Sequence, residues 1–273
     1  MDKLKIYVAC HKPGSVRQDD IYTPIHVGRA ISKYKEEMAD MIGDDTGDNI
    51  SEKNPQYCEL TAQYWAWKNL HNVEYVGFCH YRRFFDIKTE DIEMMLRGKD
   101  AIVIEMLLDH PLWREIPHFI TVEDMTIMLM VLKKKYPEYE ETLLKYLNGY
   151  TLYAKNMLIC KKELFDQYAE WLFDVLFECE KYIKPSPYTR GRRALAYMGE
   201  YLLPVYIMHH ECKIRCARYT DGKGHAKPYY SLKHRIAYNM IHWLIIRHKK
   251  SRLEDLYLQE VLVGFKNDGI IIC

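Results

Sequence analysis

No stretch of the sequence is both long enough and apolar enough to cross a bilayer, and the apolar run that begins at Leu4 is too short for a signal peptide. Neither sign of charge is in excess. With 39 Lys and Arg against 38 Asp and Glu, the formal net charge is +1, which argues against a dedicated duplex nucleic-acid binder. Internal repeats and low-complexity tracts are absent, which argues against repeat architectures and disordered segments. The eight cysteines have no framework spacing, so free thiols in a reducing cytoplasm are the simpler reading. Cys212 and Cys216, with His209 and His210, superficially resemble a zinc set, but no second pair follows. The expectation is a cytoplasmic protein with no nucleic-acid partner, whose membrane contacts are at most peripheral. What is present is the balance of a soluble globular chain, 48% hydrophobic and 28% charged, long enough for one large or two small domains. The 23 tyrosines stand out; Tyr suits polar, ring-shaped ligands, although packing accounts for most of them.

The sequence changes character most abruptly within residues 73–85, Val-Glu-Tyr-Val-Gly-Phe-Cys-His-Tyr-Arg-Arg-Phe-Phe. Its apolar first half reads as an inner strand buried on both faces, most often of a parallel sheet. That puts His80, Tyr81, Arg82 and Arg83 just past the strand's carboxyl end, the edge of open α/β sheets where ligands bind. Two guanidiniums beside an imidazole and a phenol suit an anion, because the planar fork of Arg pairs bidentately with phosphate oxygens. The loop is therefore expected to hold the diphosphate of a nucleotide-linked substrate. The alternative is one Arg paired with a surface carboxylate and the other in water. Residues 4–9 read as a first buried strand that leaves through the turn Cys10-His11-Lys12-Pro13-Gly14. His11 and Lys12 then face the same edge if the two strands are parallel.

Residues 42–51 are anionic and contain glycine. They form either a solvated loop or a site in which Asp44, Asp45 and Asn49 hydrogen-bond a ribose or a base. Asn54-Pro55 reads as a helix start with Asn54 as N-cap. Leu60, Tyr64 and Trp67 then recur at helical spacing toward the core, while Tyr57, Thr61, Trp65 and Lys68 form a second face that suits packing, or burial against the acidic loop before it. A third strand is expected over 100–105 and a long unperiodic loop over 109–119. Thr121 and Asp124 have capping-box-like spacing ahead of a helix that ends in Lys133, Lys134 and Lys135 and stops at Pro137. Residues 150–160 read as a bent strand or strand pair interrupted at Asn156, and 163–183 as the clearest amphipathic helix. A further helix over 193–206 puts Arg193, Tyr197 and Glu200 on one face; Arg193 and Glu200 either brace it or present a carboxylate to the site. Residues 236–246, apolar with one Trp, lie between Lys233-His234-Arg235 and Arg247-His248-Lys249-Lys250. They read equally as an interfacial anchor on an anionic membrane and as a packed terminal helix.

Five stretches together resemble a known family. They are Asp-Asp-Thr-Gly-Asp-Asn-Ile-Ser at 44–51, Cys-Glu-Leu-Thr-Ala-Gln-Tyr-Trp-Ala-Trp-Lys-Asn at 58–69, Gly-Phe-Cys-His-Tyr-Arg-Arg-Phe-Phe at 77–85, Asn-Met-Leu-Ile-Cys-Lys-Lys-Glu-Leu-Phe at 156–165 and the Arg193/Tyr197/Glu200 helix. The resemblance, which runs from Lys3 to Tyr206, is to bacterial capsular and exopolysaccharide biosynthesis proteins, long catalogued as a domain of unknown function and now regarded as glycosyltransferases. It implies an α/β, GT-A-like single sandwich with a central mixed, mainly parallel sheet and flanking helices. That domain is expected over residues 1–208, with a C-terminal helical extension over 209–273 that contacts a membrane or partner.

The resemblance also implies transfer of a sugar, galactofuranose or another hexose, from a UDP-sugar to a lipid-linked oligosaccharide acceptor at the inner face of the plasma membrane. The chain lacks the Asp-x-Asp motif that holds a divalent cation on the donor diphosphate in many GT-A enzymes. His80-Tyr81-Arg82-Arg83 stands at that position instead, so no divalent metal or other cofactor is expected. On this reading Glu200 is the general base, with Asp44 or Asp45 as runners-up, and Arg82, Arg83 and His80 complete the catalytic set. His11, Lys12, Asp44, Asp45, Asn49, Tyr57, Glu59, Lys68, Tyr81 and Asn156 fall on the donor side, and Arg193 and Tyr197 on the acceptor side. A nucleotide-sugar hydrolase and a non-catalytic scaffold of a polysaccharide-assembly complex are the competing functions.

Overall fold

The structure is a computed structural model that describes residues 2–108, 110–221, 232–246 and 258–272. Its strands are β1 (Asp2–Cys10), β2 (Tyr22–His26), β3 (Ile42–Gly43), β4 (Val73–His80), β5 (Arg83–Phe85), β6 (Ala101–Leu107), β7 (Thr151–Lys161), β8 (Ile214–Ala217) and β9 (Tyr219–Asp221). They form one sheet in the order β3-β2-β1-β4-β7-β6-β8, with β5 paired to both β4 and β9. Along that path every strand except β7 runs in the same direction. The helices are α1 (Asn54–Tyr57), α2 (Leu60–Asn69), α3 (Ile92–Leu96), α4 (Leu112–Glu115), α5 (Val122–Lys135), α6 (Glu140–Leu147), α7 (Lys162–Glu180), α8 (Ala194–His209), α9 (Leu232–Ile246) and α10 (Leu258–Asn267). No helix among the described residues is long and apolar enough to cross a membrane.

The inner strands read as continuous apolar runs because both of their faces are covered. On β6, Ala101 and Val103 enter the core under α2, α5, α7 and α8, while Ile102 and Ile104 enter the opposite core with Ile92, Leu96 and Met38. The alternation is the period of two that a pleated strand imposes. β4 lies between β1, parallel to it, and β7, antiparallel to it. Its Gly77 marks a close approach: a Cβ there would come within 2.8 Å of Ile159 Cγ1 and 3.0 Å of Ile6 Cγ1.

Several expectations need correction. Asn54 does not cap a helix start. Its Nδ2 donates forward to Cys58 O (2.8 Å) and Thr61 Oγ1 (3.2 Å), where the backbone breaks at Cys58 with φ 47° and separates α1 from α2. The expected loop over 109–119 contains α4 and a 3-10 turn at Ile116–His118. Pro137 ends α5 but opens a 3-10 turn that leads into α6, a helix the sequence reading passed over. The sheet also continues beyond residue 208, because β8 lies parallel to β6 and β9 pairs with β5. As for the residues that superficially resemble a zinc set, which were not expected to form one, His209 stacks on Tyr139 at 3.8 Å and His210 Nε2 lies 2.8 Å from the Tyr139 hydroxyl. The basic stretch Arg247-His248-Lys249-Lys250 lies outside the described residues.

Candidate active site

β1, β2, β4 and β6 end at one edge of the sheet, and antiparallel β7 begins there. At this edge lies a cavity of about 540 Å³. Ala9 near the end of β1 and His11 after it, Val27 after β2, the run His80 to Arg83, and Met106 and Leu108 at and just past the end of β6 line one side. Asn54, Cys58 and Glu59 around α1, and Arg193, Tyr197 and Glu200 at the start of α8, line the other. This is the ligand edge of an open α/β sheet.

The pairing Ala9↔His80 confirms that β1 and β4 are parallel, and it brings His11 and the Arg run to the same edge. β4 ends at His80, and the chain turns back through Tyr81 and Arg82 into β5, where Arg83 pairs with His80. Arg82 and Arg83 are exposed to the cavity, and Arg82 lies 4.8 Å from the centre of the Tyr81 ring. Tyr81 in turn meets the His11 ring edge-on at 5.1 Å. Arg82, Arg83 and Arg193 make no ion pair among the described residues. Three guanidiniums therefore face a cavity that also holds Glu59, Glu115 and Glu200, and none of the three is in ion-pair contact with a carboxylate among the described residues.

The opposite wall is a network built on an irregularity in β7. The register of β6 against β7 shifts between Val103 and Glu105, and across from it Lys155 and Asn156 take left-handed backbone angles, φ 76° and 50°. Bulges of this kind re-aim groups beside active sites, and here one residue serves two others. The Lys155 N–H donates to Glu200 Oε2 at 2.8 Å, and the Lys155 carbonyl accepts from His80 Nε2 at 2.8 Å. A carbonyl only accepts, so this bond assigns the imidazole proton to Nε2. Asn156 is 1% exposed and donates from Nδ2 to Glu59 Oε1 (2.8 Å) and Ala196 O (3.0 Å), while Gln63 donates to the Asn156 carbonyl at 3.0 Å. Gly199 leaves room for this packing, since a Cβ there would lie 2.9 Å from Leu60 Cδ1 and 3.1 Å from Asn156 Oδ1.

Burial, reinforced by the charge of Glu59, pushes the Glu200 carboxyl up to about 7 against the pull of Lys155 and Arg83. Burial also lowers the His80 imidazole, although Glu59, 4.0 Å from its Nε2, favours its charged form. At neutral pH the site thus combines a neutral histidine with a carboxyl group that exchanges its proton near the working pH. Asn156→Ala removes both bonds from the buried amide and places alanine in a left-handed conformation. It is expected to cost about 2–4 kcal/mol in urea unfolding.

The structure separates the remaining candidates. His11, Glu59, His80, Tyr81, Arg82, Arg83, Arg193, Tyr197 and Glu200 share the cavity, with Asn156 just behind its wall. Lys12, Asp44, Asp45, Asn49, Tyr57 and Lys68 are not part of its lining. Asp44 is fully buried and accepts from the N–H groups of Gly28 (2.8 Å) and Arg29 (3.1 Å) and from the Ser51 hydroxyl. It is thus neither a solvated loop residue nor a free base, but the acceptor that holds the turn after β2. Asp45 faces Arg29 at 3.6 Å, and Asn49 closes its own turn onto Gly47 O and Ser51 N. Tyr57 donates to Glu180, and the Lys68 ammonium lies 3.4 Å over the Trp67 ring. Of the second face of α2, Trp65 reaches the acidic loop, donating to Thr46 (2.8 Å), and Tyr64, expected toward the core, also bonds it through Asp48 (3.1 Å). The sequence reading missed Lys155, Glu115 and Phe119 as lining residues. Lys155 acts through its backbone, which no residue type announces.

The sheet order and the cavity at its carboxyl edge define an open α/β protein, and the likeness to a solved glycosyltransferase makes that fold GT-A-like. Residues 5–211 match the family described as "Domain of unknown function (DUF4422)", and the chain belongs to that family. The apo structure of the WbbM bifunctional glycosyltransferase superposes with a TM-score of 0.70 at 28% identity, over 81% of this chain and 45% of that one. This chain therefore spans less than half of WbbM. Core-mannan synthase A (CmsA/Ktr4) from Aspergillus fumigatus, in a Mn/GDP form, gives a TM-score of 0.23 at 15% identity over 55% of this chain and 43% of its own. The mannosyltransferase Ktr4p from S. cerevisiae gives 0.31 at 13% identity over 82% and 62%. At those scores neither bears on the fold. No curated protein matches the chain by sequence.

Proposed function

We propose that the protein is a glycosyltransferase that moves a hexose, galactofuranose being the leading candidate, from a UDP-sugar to a lipid-linked glycan in capsule or exopolysaccharide synthesis. The observation that carries this reading is the meeting of Arg82, Arg83 and Arg193, none of them ion-paired among the described residues, with Glu200 across one cavity. The likeness to WbbM supports it.

In the reaction the acceptor hydroxyl oxygen bonds to the anomeric carbon as the bond from that carbon to the donor diphosphate breaks. The proton of the hydroxyl passes to Glu200, and UDP leaves with the electron pair of the broken bond. Fixed guanidiniums stabilise the charge that grows on the diphosphate. His80, neutral and held by Lys155 O, keeps a lone pair on Nδ1 for a donor hydroxyl. A divalent cation, which GT-A folds often hold at this edge, does not suit the residues present. Cations occupy the end of β4, and among the described residues no three His, Cys, Asp or Glu side chains group to bind a metal.

The test is thermal denaturation with UDP in excess EDTA, followed by transfer assays with UDP-hexoses. UDP at about a hundredfold excess over its Kd should raise Tm by roughly 5 °C or more, and transfer should persist in EDTA. No shift with UDP refutes the donor site. Loss of transfer in EDTA with rescue by manganese refutes metal independence.

A further inference from the structure

The near-zero net charge hides a segregated basic segment. Residues 222–253 carry eight Lys and Arg and no Asp or Glu, against +1 for the whole chain, so the remainder is net acidic. α9 lies within that segment, and its described apolar side chains do not turn inward: Ile236 is 58% exposed, Met240 58%, Ile241 51% and Leu244 55%. Seven of the eleven exposed large apolar residues among those described lie beyond residue 231. Four of them share α9, unlike the single scattered residues that need no explanation. At about 100° per residue, the four on α9 fall within an arc of about 140°.

Tyr238 projects from the other side of α9. Its hydroxyl lies 2.7 Å from both Leu108 O and Tyr150 O and offers its one proton to that pair of carbonyls. Leu108 belongs to the lining of the active-site cavity. The apolar arc is therefore pinned beside the cavity and faces away from the protein.

We propose that α9 docks the protein on an anionic bilayer, lying in the plane of the surface with its apolar arc among the acyl chains, the positive charge of the surrounding sequence adding attraction to the headgroups. Charge complementarity selects this occupant. An arc of apolar side chains within a segment rich in Lys and Arg matches an anionic lipid surface. A second copy meeting the same face across a two-fold axis would bring two basic segments together, an arrangement that repels. Docking there presents the cavity to an acceptor carried on a lipid. That consequence rests on the transferase reading; the docking itself does not.

The test is co-sedimentation of the full chain with vesicles of phosphatidylglycerol and phosphatidylcholine, and with vesicles of phosphatidylcholine alone, at low and high salt. The protein should bind the anionic vesicles, less at high salt, and the double substitution Ile236→Asp/Leu244→Asp should weaken binding about tenfold or more. The UDP thermal shift of that variant should match the wild type, which shows that the fold and donor site are intact. Wild type that binds neither vesicle, or a variant that binds as wild type does, overturns the docking. So does a wild-type dimer that the double substitution splits without any vesicle binding. Vesicle binding without a UDP shift would instead sink the transferase reading and leave the docking in place.

Discussion

Replacing Arg83 with alanine is expected to lower kcat by about 10²–10³-fold, the loss seen when one fixed donor is taken from a site of developing charge. Arg83 is the more telling of the adjacent pair because its charge reaches both Glu200 and His80. Arg82 stands on the turn against the Tyr81 ring, so the double substitution should leave no measurable transfer. Lysine at position 83 restores only part of the rate, since an ammonium supplies charge without the planar fork that grips two phosphate oxygens. Both side chains are exposed and carry no ion pair among the described residues. Stability should therefore stay within about 0.5 kcal/mol of wild type. A stable, inactive Arg83→Ala assigns the loss to chemistry; a variant with near-normal turnover leaves the diphosphate to other groups.

The second large effect is at Glu200. Glu200→Gln keeps the shape and loses the base, and turnover should fall about 10²–10⁴-fold. Because the carboxyl releases its proton near 7, wild-type kcat/KM should climb as pH rises through that value, and the residual activity of the variant should lack this limb. Stability carries the same signature. The ordinary value of 4.5 applies to the unfolded chain and about 7 to the folded one. Between those values the folded state holds the proton that the unfolded state has released. Stability is therefore lost as pH rises across this window, and the full cost is present above about pH 7. The glutamine variant carries no such cost, so its Tm should gain on the wild type from about pH 5 to about pH 8. Near-normal turnover of Glu200→Gln removes the carboxylate as base even if the arginine clamp survives.

The inner strands and the Arg run were legible because they depend on local signals. Residues 4–9 and 73–80 are apolar at every position that the sheet buries twice, and a parallel register then carries His11 to the edge that His80 reaches. The face shared by Arg193, Tyr197 and Glu200 was legible from helical spacing alone. Asp44 was not. Its sequence context is that of a surface loop, and only the fold shows that the turn at Gly28, φ 67°, points two N–H groups at it. The break at Cys58 was hidden as well, because a φ of 47° on cysteine leaves no mark in a helical pattern. Lys155 is the clearest case: Asn156 advertised an interruption of β7, but the contacts that matter come from the backbone of the residue before it. Networks closed by main-chain groups do not appear in residue types.

The most direct measurement is a crystal structure grown with both UDP and manganese present. The diphosphate should lie at the end of β4 with its oxygens within hydrogen-bond distance of Arg82 or Arg83, and no metal between them. A diphosphate carried on a manganese ion, with both guanidiniums left in solvent, would contradict the proposal that fixed positive side chains do the work of the cation.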